Sequence, residues 1–184
     1  DGNYEASGAT LSYAFATELD PANEDLATLA LAGATGEKQF IGGARGLTKH
    51  ILDTALQKGI LTEQMGIKLY GETIADALYY SVDPYYPGLS GKSEKIKTML
   101  EQLHIQKTAS LEEISSKAMM KIQSYLLFLL IKAGCQQNIL DMTIRKRYVA
   151  SQGWELERFA DLLDACGKNG YRSLGLSLCL GDGT

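Results

Sequence analysis

Histidine is nearly absent from this sequence, with two residues, and proline and cysteine occur three times each. His50 and His104 have no second ligand at helical spacing, so no paired-histidine metal motif exists. His50 reads as a surface or boundary residue, and His104 as a helix-end residue whose imidazolium would suit the helix dipole. Cys135, Cys166 and Cys179 are odd in number, widely spaced and set in apolar surroundings, which fits reduced core thiols better than a disulfide framework or a zinc site. Long apolar runs are also missing. The longest, Tyr125 to Ile131, falls well short of the roughly 18 residues a membrane span requires, and it reads as a buried helix segment. No leading stretch combines a basic region, an apolar region and a small-residue cleavage site, so a cytoplasmic setting without a membrane partner is expected. Excess positive charge is lacking too: 18 basic against 22 acidic residues give a net charge of -4. A self-sufficient nucleic-acid binder would carry the opposite balance, so any such contact must be local or supplied by other parts of a larger protein. There is no Walker loop, nucleophile elbow or CxxC, and the glycines at 33, 36, 42, 43 and 46 fit no phosphate-binding fingerprint.

What is present is ordinary globular material, 45% apolar and 22% charged over 184 residues, enough for one domain or two small ones. Its patterning is overwhelmingly helical. Leu11, Ala14, Phe15 and Leu19 form a stripe at helical spacing after Ser7-Gly8, and Asp20-Pro21 stops it. Asn23 is a candidate N-cap for a second helix carrying Leu26, Leu29, Ala30 and Gly33 on one face. Leu47, Ile51, Leu52, Ala55 and Leu56 mark a third over about 44–58, with Gly59 as a left-handed cap. Met65 to Tyr70 alternates as a short strand, and Thr73 to Tyr80 returns to helix. Ile96, Met99, Leu100 and Leu103 mark another helix. Ser110 and Glu113 form a capping box for a further one reaching about Ala133, with Gly134 as its stop. Leu156, Phe159, Ala160, Leu162, Leu163 and Cys166 build a strongly amphipathic helix, and Leu174 to Leu180 is a last apolar segment.

Two of the three prolines fall in Ser81–Gly91, which predicts a boundary there. A second change of composition follows Ser151. Three segments are therefore expected, at 1–82, 83–150 and 151–184. Asp1-Gly2 lacks an initiator methionine and Gly181-Asp182-Gly183-Thr184 would ordinarily lead into another element, so both ends read as cut.

Four segments carry a family resemblance. Asp1-Gly2 with Ser7-Gly8-Ala9 looks like the stretch after the DHH motif of DHH phosphoesterases. Ala32-Gly33-Ala34-Thr35-Gly36-Glu37-Lys38-Gln39 resembles that family's later metal-binding motif, a small-residue run followed by Gly-Asp with Gln nearby. Phe159-Ala160-Asp161-Leu162-Leu163-Asp164-Ala165-Cys166-Gly167 is similar to the helix between the two catalytic lobes of the archaeal branch. Asp83 to Gly91 resembles the entry to the helical insertion of archaeal RecJ-like proteins. The chain is thus identified as an internal piece of an archaeal RecJ-like nuclease.

That resemblance implies a mainly α fold, made of the helical end of a DHH-type α/β lobe (1–82), an inserted helical subdomain (83–150) and a connecting helix toward a second lobe (151–184). It implies a metal-dependent exonuclease acting on single-stranded DNA or RNA, in which manganese or magnesium activates water and stabilises the phosphodiester being displaced. Glu37 takes the metal-ligand position where the family carries aspartate, one methylene shorter; otherwise it is a solvated helix-end glutamate. Asp164 and Lys168 likewise replace the family's asparagine and arginine. The ligands of the first aspartate pair and of the DHH motif lie outside this chain, so the piece alone is expected to be inactive. Arg145-Lys146-Arg147 is the candidate phosphate contact, against a solvated helix end. The other reading is a non-catalytic replication scaffold whose insertion binds the GINS complex, with Tyr85 and Tyr86 as aromatic anchors where exposed and as buried packing otherwise. Exposed apolar faces at the ends would favour self-association.

Overall fold

In a computed structural model the protein is described for residues 4–181, apart from the side chains at 138, 141 and 142. It is mainly helical with one small two-stranded sheet. The chain forms two compact units, one of residues up to Gln64 together with those from Lys146, the other Met65–Arg145. The division therefore falls at 64/65 and 145/146, rather than at 82/83 and 150/151. Ser81–Gly91 is not a linker: Tyr86 and Leu89 within it are core residues of the second unit. Its prolines and glycines bend a segment that is packed inside one unit.

The first unit opens with α1, Gly8–Leu19. Ser7 caps it through a reciprocal capping box in which the Thr10 N–H donates to Ser7 Oγ and the Ser7 N–H donates to Thr10 Oγ1, at 3.1 and 2.7 Å. These bonds satisfy amide groups that a helix start otherwise leaves bare. A 3-10 turn, Pro21–Leu26, follows under an Asp20 cap. Asn23 is thus not the N-cap expected of it; it lies inside that turn and its amide donates to the Ala16 carbonyl at 3.0 Å. Next come α2, Ala27–Gly36, and α3, Gly46–Gln57. After the inserted unit the chain returns through β2, Ile144–Ala150, to α8, Leu156–Lys168, and α9, Arg172–Cys179. β2 pairs with β1, Leu61–Ile67. Ser151 N–H donates to Ile60 O and Thr62 Oγ1 to Val149 O, so the pairing runs antiparallel. β1 begins earlier than the alternation at Met65–Tyr70 predicts, because Leu61 is buried in the first unit's core and anchors the strand there.

α2 lies at the centre of this unit, against α1, α3 and α8. Its residues are nearly all small, and Ala27, Leu31 and Ala32 join Ile51, Leu52, Leu61, Ala150 and Leu156 in one core. The apolar stripe on α1 has a different fate. Leu11, Phe15 and Leu19 are exposed, while Thr10 is buried.

The second unit packs α4 (Ile74–Tyr79), α5 (Ser93–Gln102), α6 (Ser116–Lys132) and α7 (Gln137–Thr143). Its core consists of larger side chains, among them Ile74, Leu78, Tyr86, Ile96, Leu100, Ile122, Leu126 and Leu130. The Ser110/Glu113 box forms, with the Ser110 N–H donating to Glu113 Oε2 at 2.9 Å, but it closes a separate turn. Ser115, not Ser110, caps α6 by accepting from the Ala118 N–H. Among the described residues no helix is long and apolar enough to cross a membrane.

Candidate functional site

Three of the four sequence segments that carry the resemblance converge at the C-terminal half of α2, while Asp83–Gly91 belongs to the second unit. A Cβ built on Gly33 would lie 2.5 Å from the Ala9 Cβ. No side chain fits there without displacement, so glycine at 33 is what lets α1 approach α2 this closely. One turn later the same probe on Gly36 meets the Ala160 Cβ of α8 at 3.8 Å. Ser7–Ala9, Ala32–Gln39 and Phe159–Gly167 thus share one corner of the first unit. Asp1-Gly2, the remaining part of the first segment, lies outside the described residues.

Glu37 stands at that corner as the C-cap of α2, its N–H donating to the Gly33 carbonyl at 3.1 Å, with its side chain exposed. Lys38 then takes a left-handed φ of 60°, a sparsely populated conformation for a residue with a Cβ. It reverses the chain so that Gln39 turns inward, where it is 3% exposed. Gln39 Oε1 accepts from Thr48 Oγ1 at 2.7 Å in the first turn of α3. Its Nε2 is buried and makes no hydrogen bond among the described residues. With the oxygen taken by Thr48, the amide offers a donor, which suits an anionic oxygen and not a cation.

These residues by themselves do not make a metal centre. Among the described residues no three of His, Cys, Asp or Glu come together to hold an ion, and Mg²⁺ or Mn²⁺ takes about six hard ligands. Glu37 could supply one.

The basic triplet is divided by its own secondary structure. It lies on strand β2, not at a helix end, and successive side chains on a strand face opposite ways. Lys146 is exposed and pairs with Glu63 at 3.0 Å. Arg147 is 6% exposed, with a short charge-assisted hydrogen bond from its Nε to Glu155 and a second contact to Glu157 at 3.6 Å. It cannot reach a phosphate from there; its guanidinium joins β2 to the start of α8. Arg145, half-buried, falls in the other unit. Glu155 and Glu157 escape notice in the sequence, although strand alternation already separates Arg147 from Lys146. Beside them, Tyr148 packs on Phe40 with ring centroids 5.3 Å apart. Burial, then the neighbouring Glu63 and Asp53 carboxylates, push its phenol up to about 12.

The aromatic pair is divided as well. Tyr86 is fully buried in the second unit's core, its N–H donating to Ser90 Oγ at 2.9 Å, so it cannot anchor a partner. Tyr85 is 54% exposed, on the same short stretch as the exposed Tyr79, Tyr80 and Val82. His50 is exposed on α3, and His104 has a left-handed φ of 58° just past the end of α5; neither belongs to a metal-holding group of three among the described residues. Asp164 and Lys168 form an exposed i,i+4 ion pair at 2.5 Å on α8, and this hydrogen bond raises the Lys168 pKa. The cysteines are all free thiols.

No known family profile matches this chain. It is similar to the uncharacterized protein MJ0831 of Methanocaldococcus jannaschii, at 24% identity over an alignment that covers 99% of this chain and 40% of that protein. The chain therefore spans less than half the length of its archaeal relative.

Proposed function

We propose that this chain is an internal part of a metal-dependent exonuclease for single-stranded nucleic acid, of the DHH phosphoesterase family and similar to archaeal RecJ-like proteins. One observation carries the reading. Three of the four segments quoted for the resemblance, distant in sequence, meet around the C-terminal end of α2, with Gly33 against Ala9 and Gly36 facing Ala160. An archaeal relative that is more than twice as long leaves room for the remaining ligands elsewhere. In this reading Glu37 lends one carboxylate to a manganese or magnesium centre completed by chain beyond these residues. The ions would lower the pKa of a bound water and stabilise charge on the phosphodiester. No catalytic step is assigned to Glu37 itself.

The test is manganese-dependent degradation of an end-labelled single strand by the intact parent protein. Glu37→Gln is expected to lower activity about 100-fold or more, with the unfolding midpoint unchanged because the side chain is exposed. Full activity in that variant would remove Glu37 from the site. No activity in the manganese-loaded parent would overturn the nuclease reading. Arg145 and Lys146 remain candidate phosphate contacts in this proposal; Arg147 does not.

The exposure of Tyr85 together with Tyr79 and Tyr80 favours a second reading, a replication scaffold that binds GINS through the second unit. Pull-down with GINS subunits, lost on Tyr85→Ala, is the expected result there. The isolated chain should also self-associate through Leu11, Phe15 and Leu19 of α1, which sedimentation at rising concentration would reveal.

A further inference from the structure

Helix α6 has an unusual distribution of charge. Its 17 residues include Lys117, Lys121 and Lys132 and no carboxylate. The lysines share its outward face with Met120, Phe128 and Ile131, all more than half exposed. Large apolar groups left in water beside unopposed charge are characteristic of a surface that is covered in use. None of the three lysines makes an ion pair among the described residues; Lys132 instead lies over the Phe128 ring, 6.0 Å from its centroid. The opposite face is fixed, since Ile122, Leu126 and Leu130 are buried in the unit's core. The helix therefore cannot roll to hide its outer residues.

Beside this face runs a groove of about 470 Å³, lined by Leu89, Met99, Tyr125 and Leu129 together with the oppositely charged Glu94 and Lys95, so the net positive charge comes from the α6 lysines at its edge. On the helical wheel Tyr125 and Leu129 adjoin Lys121, Phe128 and Lys132, so the groove and the lysine edge form one surface. We infer that this surface, the α5–α6 groove with the basic face of α6, docks a protein segment that is both acidic and apolar, an amphipathic helix with carboxylates beside its hydrophobic stripe. Charge complementarity selects the acidic partner. The groove selects a protein over a bilayer: it takes individual side chains, whereas interfacial membrane helices present a broad continuous apolar face. On α6 that face is interrupted by Ser124 and the lysines. The inference rests on α6 and its groove alone and is independent of the nuclease reading.

A synthetic acidic amphipathic peptide of Glu, Leu and Phe at helical spacing, titrated into the ¹⁵N-labelled chain, tests it. The expected result is amide shifts confined to α6 and the facing turn of α5. Affinity should fall about tenfold or more in Lys121→Glu/Lys132→Glu, and substantially between about 0.05 and 0.5 M salt. Phe128→Ser should weaken binding without the same loss of salt dependence. Circular dichroism should show these variants as folded as the parent, because the altered residues are exposed; Lys121→Arg/Lys132→Arg, which keeps the charge, should bind as the parent does. Absence of shifts up to about 1 mM peptide, shifts elsewhere, or indifference to charge reversal would overturn the proposal. So would lysine-dependent binding to phosphatidylserine vesicles in preference to the peptide.

Discussion

The two units build their interiors from different materials. In the first, α2 is buried among its neighbours as a run of mostly alanine, threonine and glycine around Leu29 and Leu31, and helices approach so closely that Gly33 leaves no room for a methyl group. Polar groups are buried with it: Ser7 with Thr10, Gln39 with Thr48, and Arg147 with Glu155 and Glu157. The second unit fills its core with Ile, Leu, Met and one tyrosine ring. Dispersion and area burial suffice there, and moderate changes of shape can be absorbed. A small-residue core with hydrogen-bonded polar groups is less forgiving, because each close approach and each polar pair must be met in detail. The composition differs in charge as well. The first unit's segments carry fourteen acidic and nine basic residues, the second eight and nine. The proposed site falls in the acidic unit and the proposed interaction surface in the near-neutral one.

That contrast can be tested at four points, taken in order of effect. Arg147→Ala leaves two largely buried carboxylates without their guanidinium and should destabilise by about 3–5 kcal/mol in urea unfolding. Replacing Arg147, Glu155 and Glu157 together with apolar residues should recover most of that loss, and failure to recover would mean the ion network is required for the fold of the β2–α8 connection. Leu126→Ala should cost about 2–5 kcal/mol, with hydrogen exchange accelerating first among residues 65–145. Equal acceleration on both sides of the 64/65 division would break the contrast between two cores. Gly33→Ala should cost about 1–3 kcal/mol through overpacking against Ala9, although helix propensity alone favours alanine. A neutral or stabilising outcome would mean that α1 yields easily.

The smallest effect concerns pH. Tyr148 is raised from 10.0 to about 12, so its phenol is neutral in both states below pH 10. Above that the unfolded chain ionises first, and stability should fall as pH climbs from about 10 toward about 12. Tyr148→Phe should flatten that slope, and one late-titrating tyrosine should vanish from the ultraviolet titration. An unchanged slope would place the effect elsewhere.

Much of the helical framework was legible from periodicity and caps. Ser7 does open α1, the helix expected from Thr73 does form as α4, with Thr73 accepting from the Asp76 N–H, and Gly59 and Gly134 take left-handed φ values of 69° and 77° just past their helices. Errors arose where a local signal had two readings. Ser110 and Glu113 bond to one another whether or not a long helix follows. Prolines and glycines bend a chain inside a core as readily as between domains, which is why Ser81–Gly91, although it holds the core residues Tyr86 and Leu89, reads as a boundary. The strand β2 is masked in the sequence because its basic residues hide the alternation, Arg147 being carried inward by Glu155 and Glu157.

By itself the sequence determined the helix-rich character and the ends of many helices, since both depend on neighbours a few residues away. Only the tertiary structure decided that α1 turns its apolar stripe outward and that Arg147 is internal while Lys146 is not. It alone assembled Ala9, Gly33, Gly36 and Ala160 into one corner. Such outcomes depend on contacts between residues far apart along the chain, where packing and desolvation outweigh local preference.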